Sequence, residues 1–108
     1  MMTQENPYDL RGQRRREQAK KAEDERKRAE YLLDLNRVMQ TPEGQRVLRA
    51  ILVRTHNFAV SFAGDSAATA FREGERNVGL SLMGDMSEAN AEVFGSILKA
   101  TMQGAKND

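Results

Sequence analysis

The residues able to do chemistry in this chain are few. The single histidine, His56, is followed by Ser61 and Asp65. Base, nucleophile and acid are the parts of acyl transfer, but they work only within hydrogen-bond reach of one another. Nothing in this spacing fixes such a geometry, and His56 beside Asn57 reads as the end of a helix. Glu73 and Glu75 are flanked by Arg72 and Arg76. Positions two apart on a helix do not face each other, so these carboxylates read as an ion-paired face and not as a convergent acid–base or metal pair. The chain has no cysteine, which excludes disulfides, a thiol nucleophile and thiolate metal sites. One histidine also excludes a histidine metal cluster, while an all-carboxylate site stays open. No catalytic residue, metal site or cofactor is expected, and the chain reads as non-enzymatic.

What remains is charge and shape. Residues 11–21 carry Arg11, Arg14, Arg15, Arg16, Lys20 and Lys21 against Glu17, a local +5 in a chain of 108 residues with net charge +1. Such a cluster suits phosphates, and counterion release would make the binding salt-sensitive. It has no interleaved aromatic residues for base stacking and no groove-reading motif, so a solvated or protein-docking helix competes with DNA as its purpose. A second feature is FREGERNVG, residues 71–79. Gly74 and Gly79 each cost up to about 1 kcal/mol in a helix interior against alanine. Either close helix packing or a partner-binding face formed by Arg72, Gly74, Arg76, Asn77 and Gly79 would account for them.

The elements that must position these groups are helical. Ala67, Phe71, Gly74, Val78, Leu82 and Met86 recur at three and four residues and predict one buried stripe on a helix from Asp65 to Met86. Gly84-Asp85 is expected to fray its end, with Ser87 capping a last helix to about Met102 that buries Ala89, Val93, Phe94, Ile97 and Leu98. Upstream, Thr41-Pro42-Glu43 predicts a helix start, with Thr41 as cap and Pro42 in the first turn. That helix runs to about His56 and buries Val47, Leu48, Ile51 and Leu52. Phe58, Val60 and Phe62 lie in a connector read as extended or short helical, and all four phenylalanines are expected in the core.

Asn6-Pro7 predicts the start of the first helix. From Arg11 to Glu30 it has no large apolar residue, so it cannot bury itself. Glu17–Lys21, Glu23–Lys27 and Asp24–Arg28 are helix-spaced ion pairs. From Tyr8 to Glu30 it would span on the order of 35 Å. Tyr31, Leu32, Leu35, Val38 and Met39 make its far end amphipathic and able to dock. The predicted architecture is all-α: a charged helical arm over 1–30, a small three- to four-helix domain over 31–103, and a loose tail over 104–108. So small a domain gains from oligomerisation or from docking on something larger. No apolar run approaches the roughly 18 residues that cross a bilayer, so no membrane is expected. The N-terminus lacks a signal peptide's apolar region, so synthesis in the cytoplasm is expected.

Two runs, LNRVMQTPEGQRVLRAIL from Leu35 to Leu52 and FAVSFAGDSAATAFREGERNVGLSLMGDM from Phe58 to Met86, resemble a family of small proteins of tailed bacteriophages. These occur particularly in short-tailed phages, near the portal and capsid genes. Thr41, Pro42, Glu43, Gly44, Arg46, Val47 and Leu48 match the first half of the pattern. Phe62, Gly64, Ser66, Phe71, Arg72, Glu73, Gly74, Arg76, Asn77, Val78, Gly79 and Leu80 match the second. The resemblance implies a phage structural or assembly protein, made in the host cytoplasm and located in the virion. Its partners would be portal or capsid proteins, with DNA through the basic arm and a homo-oligomer as further expectations. A nucleic-acid-binding accessory protein and a small inhibitor of a host protein are the competing functions.

Overall fold

The computed structural model describes residues 9–55 and 66–107, and over these the protein is helical with no strand. Four helices follow in order: α1 Leu10–Met39, α2 Pro42–Arg54, α3 Ser66–Ala89 and α4 Ala91–Asn107. Asn6-Pro7, the connector with His56, Phe58, Val60, Ser61 and Phe62, and Asp65 lie outside the described residues. Two units are distinguished, Met1–Tyr31 and Leu32–Asp108, and α1 contributes to both.

In the first unit, Asp9 caps α1. Its Oδ1 accepts from the N–H groups of Arg11 at 3.1 Å and Gly12 at 3.2 Å. The short carboxylate thereby satisfies donors that a helix start leaves unpaired. From Arg14 to Tyr31 every residue is exposed. Arg26 binds Glu23 at 2.6 Å and Glu30 at 2.5 Å, and Lys27 approaches Glu23 at 3.9 Å. The Glu23 hydrogen bond first, and the Glu30 charge second, raise the pKa of Arg26 above its ordinary value.

In the second unit, α1 ends in the core. Leu35 and Met39 join Leu48, Met86 and Ile97, with Leu82, Ala89, Val93 and Phe94 packed around them. Met39, Leu52, Met86 and Ile97 are the largest fully buried side chains. Each such burial contributes about 1.5–3 kcal/mol. Val38 and Val47, expected inside, are exposed. In each case only one of two neighbouring apolar positions can point inward, and Met39 and Leu48 take that place.

The corner between α1 and α2 explains TPEG. The Thr41 hydroxyl donates to the Val38 carbonyl at 3.0 Å and accepts from the Gly44 N–H at 2.9 Å. One side chain thus closes the end of α1 and the start of α2. Gln45 Nε2 adds a hydrogen bond to the Met39 carbonyl at 2.9 Å. A Cβ on Gly44 would lie 1.9 Å from the Val38 carbonyl oxygen. Glycine is required there by contact. α2 stops at Arg54, with buried Thr55 as C-cap, its hydroxyl donating to Leu52 O at 3.0 Å.

The α3–α4 boundary corrects the expected one. α3 continues through Gly84, Asp85 and Ser87 to Ala89, and Asn90 is the cap, its Oδ1 accepting from Val93 N–H at 3.1 Å. Asn90 Nδ2 also donates to Asn36 Oδ1 at 2.9 Å, tying α1 to this junction. Ser87 offers a cap without that second anchor. α4 runs to Asn107, beyond the expected tail boundary. Thr101 is buried and satisfied by its own helix, donating to Ile97 O at 2.7 Å.

Candidate partner-binding surfaces

The stripe expected on α3 is buried only at its end. Met86 is fully buried and Leu82 partly so, but Phe71 is 71% and Val78 62% exposed, and Ala67 and Gly74 are exposed too. Phe71 is therefore not a core phenylalanine. The reason is geometric. A step of four residues advances about 40° beyond a full turn, so a run dominated by fours winds round the helix. Between Ala67 and Met86 the stripe turns by about 100°, and only its last members reach the side that packs.

The five residues expected to form a partner face on this helix separate for the same reason. Arg72, Arg76 and Gly79 fall within about 60° of one another, while Gly74 and Asn77 lie on the opposite side. Gly79 is buried and Arg76 half-buried; Arg72, Gly74 and Asn77 are exposed. No single surface holds all five. Close packing does not account for Gly74 either, since a Cβ there would meet nothing within 4 Å among the described residues.

On α1, Arg11, Arg14, Arg15, Arg16, Lys20 and Lys21 are all exposed. Arg11, Arg14, Arg15 and Lys21 cover one side over about 120°, and Arg16 and Lys20 point the other way. Positive charge thus wraps much of the helix. Farther on, Arg28 stands 5.7 Å from the centre of the Tyr31 ring, within cation–π range. Among the described residues no group of three or more histidines or carboxylates is placed to hold a metal, and no helix is long and apolar enough to cross a membrane.

Sequence reasoning missed the Asn36–Asn90 tie and the exposure of Ala91, Gly95 and Met102 along one side of α4. Asn90 followed by Glu92 in the first turn of α4 carries a cap signal, but Ser87 followed by Glu88 carries the same one, and the sequence expectation took Ser87. The bond from Asn90 to Asn36 spans 54 positions and leaves no local signal.

These features define a small all-α protein whose exposed features are charged and apolar helix faces. The chain belongs to the Bbp19-like phage protein family, whose model matches residues 35–102. The matched segment begins at Leu35, the first core residue, and includes α4 through Met102. Arg11 to Lys21 lie outside it. No curated protein and no solved structure matches the chain.

Proposed function

We propose that this phage protein is a non-enzymatic structural or assembly component of the particle, a minor virion protein docked at the portal or inner capsid. The observation that carries the reading is the arm. From Arg14 to Tyr31 no residue is buried, so core packing, the usual source of helix stability in proteins, is missing there. An external contact would supply it. The basic residues Arg11, Arg14, Arg15, Arg16, Lys20 and Lys21 would hold an acidic neighbour, with Arg72 and, on the other side of α3, Gly74 and Asn77 as further attachment points. Mass spectrometry of purified particles tests the proposal. It expects the protein in mature virions or procapsids, and absence from both overturns it.

The wrapping of charge around the arm favours one second reading, a nucleic-acid-binding accessory protein. Phosphate contacts are insensitive to which side of the helix supplies the cation, and each is weakened by salt. A gel-shift salt series compares the native chain with the combined R14A, R15A and R16A variant. A steep salt slope that flattens in the variant supports this reading, and no shift at low salt removes it.

A further inference from the structure

α4 carries two apolar stripes. The first, with Val93, Phe94 and Ile97, serves the core. The second is Ala91, Gly95, Leu98 and Met102, spaced four, three and four, the alternation of a helix–helix seam. Ala91 and Gly95 are exposed, Leu98 is half-buried and Met102 is 45% exposed. Gly95, Leu98 and Met102 line a shallow depression together with Lys99 and Gln103. A Cβ on Gly95 would meet nothing within 4 Å among the described residues. Alanine would suit an isolated helix better there, so the missing side chain leaves room for something outside the domain.

We propose that this stripe is a homodimer seam, with α4 packed antiparallel on α4 of a second copy. The choice of occupant rests on charge and size. Glu92 and Lys99 are both exposed and flank the stripe on the side away from the core. They are seven residues apart, about 10 Å along the axis, too far to pair on one helix. Reversing a second helix against the first sets Glu92 beside Lys99 of the other copy, and two-fold symmetry makes the same pair twice. The same register sets Gly95 opposite Leu98 and Ala91 opposite Met102, small against large in both layers. One face therefore complements itself in shape and in sign. This inference goes beyond particle docking and does not depend on it.

A four-residue stripe is much shorter than the roughly 20–30 residues a side of a standard interface, so a weak, reversible pair with affinity in the micromolar range is expected. Sedimentation velocity on the full chain across a micromolar-to-millimolar series reads it. The native chain shifts from monomer to dimer. E92K and K99E each turn both cross-pairs repulsive and raise the dissociation constant about tenfold. The combined E92K and K99E variant restores the dimer, and circular dichroism shows unchanged helix content in all three. A monomer at every concentration overturns the proposal. So does a dimer indifferent to the single substitutions, or a double variant no tighter than either single.

Discussion

Asn90 does two things with one amide. It caps α4 through Oδ1 and holds the end of α1 through Nδ2. Asn90→Ala removes both, and the lost cap and side-chain hydrogen bond together cost about 1–3 kcal/mol in urea unfolding. Asn90→Asp keeps the cap, and its charge favours the helix start, but it cannot donate to Asn36. It is expected to cost less than half as much. Equal losses in the two variants would show that the tie to α1 dominates. Gly44 is constrained differently, by a carbonyl of the preceding helix. Gly44→Ala must move backbone, not a side-chain tip, and is expected to cost about 1–3 kcal/mol. Gly74→Ala meets no described neighbour, and the same unfolding measurement should find it neutral or slightly stabilising.

At the scale of the element, what was legible depended on how local the cause is. Thr41 and Pro42 revealed the start of α2 because cap and first turn are made within four residues. Leu48, Ile97 and Met86 were legible as core because they sit where the packed sides of α2, α4 and α3 come together. The stripe on α3 was misjudged because spacing counts turns and not the angle that accumulates over them. Apolar type at Phe71 and Val78 says nothing about whether another helix reaches that side. Of the candidate site, the basic residues of the arm were legible as exposed, since their segment offers nothing to bury. The face from Arg72 to Gly79 was not legible as two sides. Phe71→Ser and Val78→Ser should each change unfolding free energy by no more than about 0.5 kcal/mol, whereas Met86→Ala should cost about 2–5 kcal/mol. A large loss at Phe71 or Val78 would restore the original stripe.

At the scale of the whole molecule, the family and the core share a boundary. The matched segment starts at Leu35, and all core residues identified lie within 35–97. The described side chains of residues 9–30 add charge without adding core, and their ion pairs are exposed ones of small individual worth. On the proposed reading, stability and attachment are separable along the chain. Deleting residues 1–30 should leave the melting temperature within about 3 °C of the native value, because the described residues 9–30 bury no apolar side chain. If the arm is what the particle holds, the same deletion should strip the protein from purified particles. A truncated chain that melts well below the native one would mean that the arm supports the domain. A truncated chain that melts normally and still enters particles would move the attachment to the helical domain, where the exposed sides of α3 and α4 are the surfaces left to make it.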